Sequence, residues 1–227
     1  MRGMKFCMPR GVAAGVVLFA AAAALPHSAG AHPHVWIDAR SQVIFDDQQR
    51  ISALRVSWRF DEFYSLFAIE GLDQNGDGDL DADELRPLAE LNVTSLEEYR
   101  YFTQIVADGA ELAYGPVSEY GSRYEDGFLT LEFVIPLEAP VDPRRAQVSF
   151  KSYDPTFYIA IEPALQEPVS FAGSPPPACA AVVEEGRDGE TLDLSEADFL
   201  NPATSDSIGA LYATNIAVVC PAAGATQ

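Results

Sequence analysis

Residues 73–84 read DQNGDGDLDADE, with oxygen-bearing side chains on alternate positions of a twelve-residue stretch. Calcium takes six to eight oxygen ligands, and a tightly wound loop supplies them from positions 1, 3, 5, 7, 9 and 12. Asp73 stands at position 1, Asn75 at 3 and Asp77 at 5, while Asp79 stands at 7, where the backbone carbonyl is the ligand. Asp81 follows at 9, and Glu84 closes the series at 12 as the bidentate carboxylate. Gly78 occupies position 6, where the turn favours a residue without a Cβ, and Leu80 at 8 is expected to point inward. The pattern predicts an EF-hand-type Ca2+ loop. No second loop of this kind occurs, and Pro87 removes a hydrogen bond from the helix that would follow. Both features favour a structural ion over a sensor that opens on binding.

His-Pro-His at residues 32–34 is a second candidate for metal chemistry. Residues 1–31 hold Arg2, Lys5 and Arg10, then an apolar run from Gly11 to Leu25, then Ala29-Gly30-Ala31. A basic region, an apolar region and a small-x-small site form the layout of a secretory signal peptide. Cleavage after Ala31 would leave His32 with a free amine beside two imidazoles, good ligands for zinc, nickel, cobalt or copper. Pro33 lacks an N–H, so the planar clamp that uses two deprotonated backbone amides cannot form. Two options remain: an amine-plus-imidazole brace, or two imidazoles completed by an acid from elsewhere in the fold. Asp38 shares a strand face with His34 but lies roughly 13 Å away, too far to co-ligate. Asp154, within KSYDPTFYIAIE (151–162), is a candidate for the missing acid; ahead of Pro155 it also reads as an ordinary turn residue.

Composition limits the partners. The chain carries 34 acidic against 14 basic residues, a net charge of −20. Loss of the leader's three cations would bring this to about −23, a field that repels nucleic acids and anionic headgroups and attracts cations. A hydrophobic content of 48% excludes a disordered acidic tail. No segment approaches the ~20 apolar residues of a membrane span, so no stable insertion is expected. Residues 32–227 suit a single domain. Cys7 falls in the leader, leaving Cys179 and Cys220 as an even pair in an oxidising compartment, the periplasm. Their disulfide would close a loop of about 40 residues and contribute ~3 kcal/mol.

The elements that position these groups are mostly strands. Val35–Phe45 and Ile51–Phe60 alternate apolar and polar residues around a polar turn at 46–49, a β-hairpin pattern. Residues 61–71 place Phe63, Leu66, Phe67 and Glu70 at helical spacing. A short helix follows the acidic loop, and Thr94 and Ser95 with Glu97 and Glu98 read as capping boxes for a further helix to about Val106. Strand patterns return at 129–135, 148–150, 157–161 and 216–220. The acidic stretch from Glu184 to Asn201 reads as an excursion. The expected class is α+β: an antiparallel, β-rich, sandwich-like scaffold with a helical insertion over about 61–107 that carries the calcium loop.

HPHVWID after a leader, the FDEFYSLF helix, the NGDGDLD loop, SYDPTFYIAIE and a last strand ending in cysteine together resemble the domain-of-unknown-function 1007 family. These are exported bacterial proteins, labelled as periplasmic components of an ABC-type transport system and commonly encoded beside nickel/cobalt-type membrane transporters. The resemblance spans the whole segment after the leader and implies a role in transition-metal handling.

Three functional classes follow. The first is a periplasmic accessory protein that captures or delivers a divalent transition metal for an inner-membrane transporter, with His32 and His34 as exposed ligands. The second is a calcium-stabilised adhesion or interaction module without transition metal. An enzyme is the third and least supported, because a copper brace wants another histidine and none follows His34. The same shortage removes Ser-His-Asp and Cys-His arrangements, so no catalytic residue is assigned. Metal content before and after replacement of His32 and His34 separates the first two.

Overall fold

The computed structural model describes residues 33–186 and 209–221. Its frame starts from the hairpin of β1 (Val35–Phe45) and β2 (Ile51–Phe60), paired antiparallel from Ile37↔Phe60 to Phe45↔Ile51. Asp46 fixes the turn: Oδ1 accepts the amides of Gln48 and Arg50, each at 2.9 Å, and Oδ2 meets the Arg50 guanidinium at 2.7 Å. Alternation sends Val35, Ile37, Ala39, Val43 and Phe45 of β1 inward, opposite Val56, Trp58 and Phe60 of β2.

The short β3 (Thr103–Ala107) and β4 (Ala110–Glu111) precede β5 (Tyr120–Glu125) and the long β6 (Phe128–Val141). Beyond them lie β7 (Val148–Ser152), β8 (Ile159–Pro163), β9 (Val169–Gly173), β10 (Ala180–Glu184) and β11 (Asn215–Val219). One sheet runs β5-β6-β2-β1 and the other β10-β11-β7-β3-β4. The second is antiparallel throughout. The first is mixed: the outer edge of β1 pairs in parallel with β8 over Val35–Ala39 and with β9 over Ser41–Phe45. The wholly antiparallel scaffold expected from the alternation therefore holds except along this edge. Apolar runs as short as these mark a strand without its direction. Buried side chains from both sheets, among them Trp58, Leu131, Phe133, Phe150 and Ile216, meet in one apolar core.

Two α-helices intervene between β2 and β3, α1 (Glu62–Ala68) and α2 (Ala82–Glu97). α2 contributes Leu85, Ala89 and Val93 to the core, successive members of an i, i+4 row. The separate helix expected from Thr94 to Val106 does not form. Thr94 and Ser95 lie in the last turn of α2, whose capping box is at Asp81 and Glu84, and Thr103–Ala107 is β3 of the second sheet. Between them Arg100, Tyr101 and Phe102 all take left-handed backbone angles, with φ of 52°, 56° and 45°, which no right-handed helix can pass through. Most of the acidic excursion expected at 184–201 lies outside the described residues.

Cys179 and Cys220 form a disulfide. They flank the last rung of the β10–β11 ladder, Ala180↔Val219, so the antiparallel register sets them opposite one another. No described helix is long and apolar enough to cross a membrane.

Candidate functional site

The acidic loop lies between α1 and α2, and its side chains fold back onto its own amides. Asp73 accepts Gly76 N–H through Oδ1 at 2.7 Å and Gly78 N–H through Oδ2 at 3.1 Å. Asn75 accepts Asp77 N–H at 2.8 Å, and Asp77 accepts Asp79 N–H at 2.9 Å. Glu84 reaches back across the loop: Oε1 accepts Gln74 N–H at 3.0 Å and Oε2 accepts Asp81 N–H at 3.2 Å. Asp81 is the N-cap of α2 and takes the amides of Asp83 and Glu84. Residues 73 and 84 are thus fastened through the loop's own hydrogen bonds.

Gly78 adopts φ +87° with open space where a Cβ would stand, so backbone conformation and not crowding is what selects glycine there. Leu80 is half-buried and packs on the core. Six carboxylates, those of Asp73, Asp77, Asp79, Asp81, Asp83 and Glu84, crowd this exposed surface; Arg86 meets Asp83 at 3.1 Å.

Among the described residues, no three His, Cys, Asp or Glu side chains are drawn together as a metal centre. In this loop the carboxylates face amides. Their donor chemistry still fits a hard divalent cation. Each alternate position carries a side-chain oxygen, no imidazole or thiol intrudes, and an oxygen that accepts one amide keeps a second lone pair.

The second candidate site opens at the start of β1. His34 is exposed, its N–H donates to the Tyr158 carbonyl at 2.8 Å, and its ring lies 4.8 Å from the Tyr158 ring. His32 lies outside the described residues. Asp154 is buried, at 5% exposure. Its Oδ1 accepts Thr156 N–H at 2.8 Å, its Oδ2 accepts Ile159 N–H at 3.0 Å, and the Thr156 hydroxyl contacts both oxygens. Asp154 therefore ties together the turn that carries Tyr158, and through Tyr158 it supports the backbone of His34. Asp38 pairs with Arg59 at 3.5 Å across the β1–β2 ladder.

Asp61 joins this end of the sheet to α1 and was not singled out by spacing. It caps α1 by accepting Tyr64 N–H at 2.9 Å, and it accepts Trp36 N–H at 3.0 Å. Burial pushes the Tyr64 phenol above its usual range, with the charges of Asp61 and Tyr158 adding to the effect. An Asp followed three residues later by an amide donor is a common N-cap, and the DEF stretch carries that signal.

Two comparisons bear on these features. An uncharacterized protein from Haemophilus influenzae is 24% identical over 197 residues, which cover 84% of this chain and 91% of that protein. Residues 17–220 match the model of the family described as "Protein of unknown function (DUF1007)", a span that takes in the acidic loop, His34, Asp154 and both bonded cysteines. The chain belongs to the DUF1007 family.

Proposed function

We propose that the protein is an exported, periplasmic metal-binding accessory protein that captures or delivers a divalent transition metal for an inner-membrane transporter. In this reading the signal peptide is removed after Ala31, and His32 and His34 offer imidazoles to zinc, nickel, cobalt or copper as cargo. Asp154 supports the site by holding the Tyr158 turn. A calcium ion held by Asp73, Asn75, Asp77, the Asp79 carbonyl, Asp81 and Glu84 is structural and fastens the helical segment to the sheets.

The observation that carries the reading is the placement of His34. The bond to the Tyr158 carbonyl at the start of β1 holds its backbone while its imidazole is exposed, next in sequence but one to the further histidine that follows the proposed cleavage site. An incomplete coordination shell on a fixed support suits a metal that must be handed on. Strong net negative charge adds a field that draws cations inward.

Titration with zinc, nickel or copper tests it in three proteins starting at His32: the parent, a His32→Ala/His34→Ala double variant and Glu84→Gln. Only neutral imidazole and free amine ligate, so affinity falls steeply between about pH 8 and pH 5.5. The double variant loses transition-metal binding and keeps calcium, and Glu84→Gln does the reverse. Tight stoichiometric binding by the double histidine variant would refute the assignment.

A further inference from the structure

Helix α1 packs Tyr64 and Ala68 against the core yet leaves its other large apolar side chains outside. Its one buried residue is Ser65, while Phe63, Leu66 and Phe67 are 82%, 54% and 72% exposed. Amphipathic helices of globular proteins turn such residues to the core and polar ones to solvent. Here the orientation of the helix is fixed by specific contacts. Ser65 Oγ donates to the Asp61 carbonyl at 2.7 Å and accepts the Leu129 amide of β6 at 2.9 Å. The Tyr64 ring stacks on Phe60 at 4.6 Å, and Asp61 binds both the helix end and the backbone of Trp36. The helix cannot roll Phe63 and Phe67 inward without breaking these contacts.

Phe63, Leu66 and Phe67, at i, i+3 and i+4, project from one side of the helix. They leave on the order of 400 Å² of mostly apolar surface in water, the size at which the largest patch of a monomer is often functional. Trp36, 51% exposed, stands at the N-terminal end of the helix. Along the chain the charge of this segment has one sign. Residues 60–85 include Asp61, Glu62, Glu70 and the acidic loop, and no Lys or Arg. The neighbouring Arg59 is occupied by Asp38 and lies 3.4 Å over the Phe128 ring.

We infer that the outward face of α1 is a docking surface for a basic amphipathic segment of another protein, whose apolar side covers Phe63, Leu66 and Phe67 and whose Lys or Arg residues meet the acidic border. A second copy of this chain would bring acidic border against acidic border, and an anionic bilayer would meet the same repulsion. Charge complementarity therefore selects a basic polypeptide. The inference goes beyond metal binding and does not depend on it.

Its test uses two synthetic 18-residue amphipathic peptides, one with leucine and lysine faces and one with leucine and glutamate faces, without transition metal. The expected result is that the protein binds the lysine peptide and not the glutamate peptide. Binding weakens with added salt and falls at least tenfold in Phe63→Ser/Phe67→Ser, whose melting curve matches the parent. Phe67→Ser alone, with a smaller loss, serves if the double variant melts early. Equal binding by parent and variants would show charge attraction alone and overturn the proposal. So would Phe67-dependent dimers in sedimentation, or Phe67-dependent binding to vesicles of phosphatidylglycerol and phosphatidylethanolamine.

Discussion

Replacing Glu84 with Gln separates the two things this carboxylate does. Its Oε2 closes the capping box of α2 by accepting Asp81 N–H, and its Oε1 accepts the amide of Gln74 across the loop. A Gln side chain keeps one acceptor oxygen and serves at this capping position about as well as Glu, so the helix start survives. What goes is one negative charge, the acceptor for the Gln74 and Asn75 amides, and half of the bidentate contact calcium requires. An unpaired, exposed loop fits the weaker class of site, with a Kd on the order of 10⁻⁴ M. At about 1 mM calcium, ten times that Kd, binding to the native state alone stabilises by RT ln 11, about 1.4 kcal/mol. For a domain of this size that moves Tm by about 3–6 °C. Differential scanning fluorimetry in EDTA and in calcium gives four melting temperatures. The parent should gain those degrees on adding calcium; Glu84→Gln should start about 1–5 °C below the parent in EDTA, having lost the Oε1 acceptor, and gain almost nothing. Identical parent curves in EDTA and calcium, or a full calcium gain in Glu84→Gln, would refute the structural-ion reasoning. Glu84→Ala would not serve, because it removes the cap and the ligand together.

Three further outcomes are expected. Ser65→Ala leaves the Leu129 amide buried without an acceptor, a cost of about 1–3 kcal/mol read as a lower urea midpoint at unchanged slope. Reduction of the Cys179–Cys220 bond, which closes a separation of 41 residues, frees the unfolded chain by about 3–4 kcal/mol, so Tm with dithiothreitol should fall by roughly 10 °C. The Arg144 guanidinium, bonded to Asp142 at 2.8 Å, holds that carboxyl below its ordinary 3.8; its stabilisation is present above pH 3.8 and is lost as pH falls through the lower folded value. In stability measured against pH, the parent's advantage over Asp142→Asn should shrink only below about pH 4.

Much of the frame was legible because strand period and turn chemistry are local. The β1–β2 hairpin follows from alternation on either side of Asp46, and the structure adds only that this carboxylate holds the turn itself. The cysteine bond followed from an even count, and the register that puts Ala180 opposite Val219 supplies the geometry. The parallel pairing of β8 and β9 on β1 was hidden, since direction is set by where the chain returns, at Ile159 and beyond, and not by the residues within the strand. Thr94 and Ser95 misled for a different reason. Their capping pattern is genuine, but a helix already nucleated at Asp81 extends through it more easily than it restarts.

The candidate sites divide along the same line. Spacing alone identifies the acidic loop, because every oxygen it offers lies within twelve residues. Asp154 could be placed in a turn but not given its partners, and its burial against Thr156 and Ile159 makes it a support for Tyr158 and hence for His34. The orientation of α1 was beyond reach of any period. Phe63, Leu66 and Phe67 specify a helix with an apolar side, and hydrophobicity alone would turn that side to the core. Ser65 decides otherwise, since its hydroxyl satisfies a buried amide of β6 that no phenylalanine could satisfy. The Ser65 pairing, with Tyr64 and Ala68 packed on the core beside it, sets the roll of this helix, next to the strand end that carries His34. On the proposed reading, metal ligands and a partner-docking face would belong close together. Asp61, bonded at once to the α1 cap and to the backbone of Trp36 two residues from His34, joins α1 to the start of β1 through a single side chain.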